Sequence, residues 1–161
     1  MGMTMKLVMT IALAALAVSA AAAPLAAATN TDAAARADAA ALFQTVTTMV
    51  EDVSASIEGM VNGQDARSAE RLRSFILVPL EAAIDEWDDK VIDIGMGAPD
   101  GNHYATYSDC QSAAHQLVYL TKDVMRFHEG RIAADEMKFS HADILIAELK
   151  DCGEALSRSS E

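Results

Sequence analysis

The sequence predicts an all-α protein arranged as an up-down-up-down four-helix bundle, and three observations support this fold class. Apolar residues recur at alternating intervals of three and four along four stretches, which is the spacing of one face of an α-helix. No segment shows the two-residue alternation of a strand. The only cysteines, Cys110 and Cys152, lie in the last two stretches, almost equally far from a break at Glu129-Gly130. Four helices with two short turns and one longer connection fit such a bundle.

Residues 1–28 are expected to be a cleaved export signal. Lys6 precedes an apolar run, Leu7 to Val18, whose length fits a signal sequence and is short for a bilayer-spanning helix. Small residues at 18–20 and 26–28 both satisfy the cleavage rule, so cleavage is expected between residues 20 and 28. The rest of the chain has no apolar run long enough to span a membrane. These features predict a periplasmic or secreted protein that does not insert into a membrane after cleavage.

The net charge narrows the class of partner. The 161-residue chain carries a formal charge of -12, and removal of Lys6, the one charged residue of the leader, changes it to -13. Such a surface repels nucleic acid and anionic lipid headgroups. The expected partner is therefore a protein with a basic surface, while the oligomeric state stays open.

The first helix is expected to follow a flexible, alanine-rich lead-in at residues 29–38. Thr31 or Asp32 is the candidate N-cap, because both side chains can accept a bond from the first turn. Asn62-Gly63 ends the helix, since both residues tolerate the left-handed conformation found there. Its apolar stripe comprises Ala39, Leu42, Val46, Met49, Val53, Ile57 and Met60.

The second helix begins at Asp65 or Ser68 in this prediction. Pro79 lies inside it and removes one backbone hydrogen bond, so we expect a kink between Phe75 and Pro79. Two shorter helices are the alternative. The stripe comprises Leu72, Ile76, Leu80, Ala83, Trp87 and Val91.

A loop rich in glycine, residues 93–102, separates the second helix from the third. The third stripe comprises Tyr107, Cys110, Ala114, Leu117, Thr121, Val124 and His128, and Gly130 ends that helix. The fourth comprises Met137, His141, Ile144 or Leu145, Leu149, Cys152 and Leu156. The four helices form a single domain, residues 39–157, and residues 158–161 are expected to fray.

Two cysteines behind an export signal predict a disulfide between Cys110 and Cys152. A disulfide-linked dimer and two free thiols are the alternatives. In an antiparallel pair of helices the two sulfur atoms come level. The bridge, the 93–102 loop and both ends of the mature chain then lie at the same end of the bundle.

That end is the predicted surface for a partner, because aromatic and acidic residues surround a glycine-containing loop there. Three aromatic residues are the expected apolar anchors and three acids are expected to select the partner by charge. The predicted contact residues are Trp87, Asp88, Asp89, Asp100, His103, Tyr104 and Tyr107. In the alternative interpretation Trp87 and Tyr107 are core residues and the acids are a solvated face. The sequence thus predicts a non-enzymatic binding or inhibitor-type module.

A haem or small-ligand carrier is the alternative function. His141 on the fourth helix and Met49 or Met60 on the first are the available ligands for a b-type haem. In size, export and bundle layout alone, the chain resembles the cytochrome b562-like and cytochrome c′-like proteins. It lacks the Cys-x-x-Cys-His motif that attaches a c-type haem. In the simpler interpretation, the methionines fill the core and His141 lies at its rim.

The sequence lacks the patterns that are typical of other metal sites and of enzyme active sites. No histidine follows a glutamate by three residues and no two histidines stand three or four apart, which disfavours di-iron and zinc sites. The loop acids do not have the spacing of a calcium-binding EF-hand. No Gly-x-Ser-x-Gly or phosphate-binding glycine loop is present. We therefore expect no enzymatic activity, metal or cofactor.

Overall fold

The computed structural model describes residues 30–61, 68–94, 101–133, 136 and 140–158. These residues are helical with short connections, and they contain no strand. The helices are α1, Asp32–Val61; α2, Ser68–Leu72; α3, Val78–Ile94; α4, Ser108–His128; and α5, Ser140–Ser157. A π-helical segment, Arg73–Leu77, joins α2 to α3, so that these three form one continuous stretch, and a 3-10 helix, His103–Tyr107, leads into α4. The predicted all-α class is confirmed.

Several predicted features lie outside the described residues. They are the export signal at 1–28, the Asn62-Gly63 turn, most of the glycine-rich loop including Asp100, the stripe residue Met137 and the end of the tail. No helix within the described ranges is long and apolar enough to cross a membrane.

Helix α1 begins earlier than the predicted domain boundary at residue 39. The backbone N–H of Ala34 donates to Thr31 Oγ1 at 3.2 Å, which makes Thr31 the N-cap. Ala35 and Ala39 are completely buried. Residues 32–38, expected to be a flexible lead-in, are the first turns of α1, because the small alanine side chains allow neighbouring chain segments to pack closely against them.

The helical stretch from α2 to α3 changes its hydrogen bonding where Pro79 was expected to disturb it. Pro79 has no N–H to donate to the carbonyl four residues earlier. The N–H of Val78 instead donates to the carbonyl of Arg73, five residues earlier, which is the bond of a π-helix. The stretch thereby stays helical across the proline.

Helix α4 is the centre of the core. It contacts α1, α5 and the stretch from α2 to α3. Every predicted stripe residue from Tyr107 to Val124 is buried, and neighbours off the stripe are buried as well, because α4 is covered on more than one side. The additional buried residues are Ala113, Val118, Leu120 and Met125. The hydroxyl of Thr121 donates to the Leu117 carbonyl at 2.7 Å, which satisfies this buried polar group.

The predicted break after α4 is a Schellman motif. Gly130 has a φ of +69°, a left-handed conformation that favours glycine. Its N–H donates to the carbonyl of Phe127, and the N–H of Arg131 donates to the carbonyl of Arg126, both at 2.9 Å. After the break, α5 packs along α4 and also against α1. Of the two alternatives for its stripe, Leu145 is buried and Ile144 is exposed.

Two isoleucines of α3 provide a matched test of this core. Ile84 is 5% exposed and Ile92 is 72% exposed. We expect Ile84→Ala to lower the free energy of unfolding by about 2–5 kcal/mol, since it removes buried methyl groups and leaves a cavity. Ile92→Ala should change it by less than about 0.5 kcal/mol. Urea denaturation followed by circular dichroism measures both, and equal losses would contradict the placement of α3.

Candidate functional site

The disulfide is formed as predicted. Cys110 in the first turn of α4 and Cys152 near the end of α5 are joined, with their Cα atoms 4.9 Å apart. Both cysteines of the sequence are used within one chain, so neither a free thiol nor a bridge between chains is formed. A disulfide is compatible with a periplasmic or extracellular location. The surroundings of this bridge are called the disulfide end below.

Segments distant in sequence meet at the disulfide end. The guanidinium of Arg36, in α1, donates to the carbonyl of Leu156, in α5, at 2.5 Å. The side chain of Asn30 donates to the Gly101 carbonyl at 2.6 Å and accepts from the backbone N–H of His103 at 3.3 Å. The start of α1, the end of α5 and the entry to α4 are therefore tied together around the bridge.

The three aromatic residues expected to anchor a partner are in the core. Trp87, Tyr104 and Tyr107 are 4%, 2% and 3% exposed. The rings of Trp87 and Tyr104 meet edge to face, with centroids 5.0 Å apart. Carboxylates of α1 satisfy the hydroxyls: Tyr104 donates to Asp38 at 2.5 Å and Tyr107 to Asp32 at 3.1 Å. This burial corrects the expectation of exposed anchors and agrees with the alternative, in which Trp87 and Tyr107 are core.

Lys90 completes a charged network with Asp38. Its ammonium group lies 3.0 Å from Asp38 and 2.9 Å from Glu86. Burial acts to lower the pKa of Lys90, but the hydrogen bonds and charges of Glu86 and Asp38 outweigh it and raise that pKa. Burial, followed by the bond to Asp38, raises the pKa of Tyr104 far above its usual value. The network keeps Lys90 charged and Tyr104 neutral, and it ties α3 and the 3-10 helix to α1.

The remaining predicted contact residues have different surroundings. Asp88 is half-buried and accepts from the amide of Gln111 at 2.5 Å, which links α3 to α4. His103 is half-buried at the start of the 3-10 helix. Asp89 is exposed, and Asp100 lies outside the described residues. Of these four, Asp89 is the one that the structure places in solvent.

Three acids outside the predicted contact residues gather beside the bridge: Asp109, Glu148 and Asp151, here called the acidic trio. Burial raises the pKa of Glu148, and the negative charges of Asp109 and Asp151 raise it further. No ion pair joins any of the three to a cation within the described ranges. Within the described residues, the acidic trio is a cluster of negative charge without a counter-ion.

A signal for the acidic trio was present in the sequence. Each cysteine directly follows an aspartate, as Asp109-Cys110 and Asp151-Cys152. A bond between the two sulfurs therefore brings the two carboxylates to the same place. Glu148 lies one helical turn before Cys152, which puts it on the same side of α5.

The residues predicted to bind a haem are in contact with other residues of the protein. His141 Nδ1 lies 2.8 Å from Gln116 Oε1, and its ring is 5.4 Å from that of Tyr119. Met49 is half-buried against the core. Among the described residues, no group of three or more histidine, cysteine, aspartate or glutamate side chains is arranged to hold a metal ion. Haem binding through His141 and Met49 stays a prediction.

Comparison with known proteins gives no match to a family model, to a curated protein or to a solved structure.

The bridge should stabilise the disulfide end most. It closes a loop with a sequence separation of 42, so its loss through Cys110→Ser with Cys152→Ser should lower the free energy of unfolding by about 4 kcal/mol in the chain-entropy model. Hydrogen exchange in the variant should rise more in residues 101–112 and 150–158 than in residues 46–58 of α1. A uniform rise, or one centred on residues 46–58, would contradict the arrangement of contacts around the bridge.

The buried tyrosines predict a loss of stability in alkali. The pKa of Tyr104 and, through burial and the bond to Asp32, that of Tyr107 are raised above 10.0 in the folded protein. The unfolded chain therefore loses these protons first, and stability that is fully present below pH 10 falls as the pH rises further. Tyr104→Phe removes one such group, so the decline above pH 10 should be shallower by up to about 1.4 kcal/mol per pH unit.

Urea unfolding between about pH 8 and pH 11.5 measures these slopes. Tyr107→Phe should also reduce the slope, which tests the second tyrosine independently. Identical slopes in the wild-type protein and in both variants would show that the hydroxyls are not held as described.

Proposed function

We propose that this chain is a small, acidic, exported helical-bundle protein that acts outside the cytoplasm as a non-enzymatic binding module for a protein with a basic surface. The observation that carries the proposal is the acidic trio. Its carboxylates repel one another, and the raised pKa of Glu148 expresses that repulsion together with burial. A cation from a partner would relieve the repulsion, so binding gains free energy that an isolated exposed acid does not supply.

The surroundings of the acidic trio favour binding with little reorganisation. The bridge fixes α4, which carries Asp109, to α5, which carries Glu148 and Asp151. The bond from Arg36 to Leu156 fastens the end of α5 to α1. Because the two helices that carry these carboxylates are cross-linked before the partner arrives, little backbone order has to form on association.

An alternating arrangement of helix directions belongs to this proposal. It is supported by contacts of the start of α1 with the end of α5, and of α3 through Asp88 with the start of α4 through Gln111. In such an up-down-up-down bundle the acidic trio lies at one end. The π-helical segment before Pro79 is the proposed place of a kink in the helix from Ser68 to Ile94.

Neutralising Glu148 should stabilise the protein. The pKa of Glu148 is higher in the folded protein than its ordinary value of 4.5. Its stabilising contribution is complete below that pH and is lost as the pH rises through the folded pKa. Glu148→Gln should therefore raise the free energy of unfolding at pH 7 by roughly 0.3–0.5 kcal/mol, a small value because the group is partly exposed and solvent screens it. The gain should vanish below pH 4, and a loss of stability at pH 7 would contradict the repulsion.

Capture of a partner is tested with two variants that remove the same number of charges. The first neutralises the trio through Asp109→Asn, Glu148→Gln and Asp151→Asn. The control neutralises three exposed acids of α1, a helix that carries none of the trio, through Glu51→Gln, Asp52→Asn and Glu58→Gln. Immobilised wild-type protein and each variant are exposed to the exported proteins of the source organism, and the captured proteins are identified by mass spectrometry.

A basic protein held by the wild-type chain and the control, but lost from the trio variant, is the expected result. Equal capture by all three proteins would mean that the binding surface lies elsewhere. Equal loss from both variants would mean that binding depends on the overall charge and not on the acidic trio.

A further inference from the structure

The outer face of the stretch from α2 to α3 leaves apolar side chains uncovered. Phe75 and Val78 are 68% and 57% exposed, and Pro79 and Ala82 are exposed beside them. In the same stretch Leu80, Ile84 and Trp87 are buried, so the uncovered residues lie on the side of the helix that faces away from the core. Phe75 belongs to the π-helical segment, where Ile76 and Leu77 enter the core in its place. We call Phe75, Val78, Pro79 and Ala82 the outer patch.

Charges of opposite sign border the outer patch at its two ends. Arg71 is exposed before it, and Asp85 is exposed after it. By residue number, each stands seven positions from Val78. Neither forms an ion pair with another described residue. The surface is therefore basic at one end, apolar in the middle and acidic at the other.

We propose that the outer patch binds a second copy of this chain, with the two helices antiparallel and a two-fold axis near Val78. A two-fold contact brings the same surface of both copies together, so a surface can pair with itself only if it is self-complementary. Antiparallel pairing about Val78 sets Arg71 of each copy opposite Asp85 of the other and brings Phe75 of each copy level with position 81 of the other, next to Ala82. The charges then match at both ends, and the exposed apolar residues leave water.

The net charge of the chain also favours this surface over others as the place of self-association. The chain carries a formal charge of -12, so two copies repel each other over most of their surfaces. The outer patch offers apolar side chains together with a cation that has no partner within the described residues, and it can offset that repulsion locally. It lies on the stretch from α2 to α3, whereas the acidic trio lies on α4 and α5. Self-association is thus independent of the proposed binding of a basic partner.

The contact is small, so the dimer should be weak and visible through its dependence on concentration. Analytical ultracentrifugation of the oxidised protein, up to about 1 mM at physiological salt, is expected to show a reversible monomer-dimer equilibrium. Phe75→Glu should abolish the dimer because it places a charge in the apolar part of the contact. Phe75 is exposed in the monomer, so the helical spectrum and melting temperature should stay unchanged. Ile146→Glu, which charges an exposed residue of α5, is the matched control and should leave the equilibrium as it is.

Charge reversal distinguishes the antiparallel pairing from unspecific association. Arg71→Glu and Asp85→Arg should each raise the dimer dissociation constant at least about tenfold, since each sets like charges opposite one another. The double variant restores opposite charges and should recover the wild-type constant. An equimolar mixture of the two single variants should also recover it, through a mixed dimer. A chain that stays monomeric throughout, a dimer that survives Phe75→Glu, or a double variant without recovery would overturn the proposal.

Discussion

The bridge between Cys110 and Cys152 is the constraint on which the candidate site depends. It joins α4, the central helix, to α5, and because an aspartate precedes each cysteine it also brings Asp109 and Asp151 near enough for both charges to act on Glu148. Repulsion between partly exposed carboxylates amounts to about 1 kcal/mol or less for each pair. The cross-link, at about 4 kcal/mol in the chain-entropy model, exceeds that repulsion. A covalent bond can thus hold a charge cluster that noncovalent packing alone would tend to spread apart.

Acids at the disulfide end fall into two physical groups. Asp38 and Asp32 accept hydrogen bonds from buried tyrosines, and Asp38 also pairs with Lys90, so their charge is used in holding α1 to its neighbours. The acidic trio has no such counter-ion within the described residues. The total negative charge of the chain therefore says less about partner binding than the way its acids divide between these two groups. Acids engaged in the fold are poorly available to a partner, whereas those that repel one another are available.

Local patterns predicted what depends on local order: periodicity predicted the four helical stretches, and residue type predicted Thr31 as one of two candidate N-caps and the break at Gly130. Tyr107 stood on the third stripe, but it was expected to contact a partner and is buried. The bridge followed from cysteine number and expected export. The surroundings of the aromatic residues depend on contacts across the sequence. Tyr104 belongs to a 3-10 helix before the third stripe, and its hydroxyl finds Asp38, 66 residues away. Such a partner makes burial of a tyrosine favourable, and no local pattern shows it. The outer patch likewise does not follow from local pattern, because burial in the structure is needed to show which apolar residues stay exposed.

The two proposed surfaces have a joint consequence, because they lie on different helices of one molecule. A two-fold dimer formed through the outer patch carries two copies of the acidic trio at fixed separation. A single exposed charge cluster binds weakly and loses strength as salt screens it. A dimer presents two such clusters to a repetitive or extended basic partner. Once the first cluster has bound, binding of the second is intramolecular, and this raises the overall affinity even though each single contact is unchanged. Disruption of the dimer by Phe75→Glu would then weaken binding to such a partner while leaving the acidic trio intact, and it would leave binding to a compact partner with one basic site unchanged.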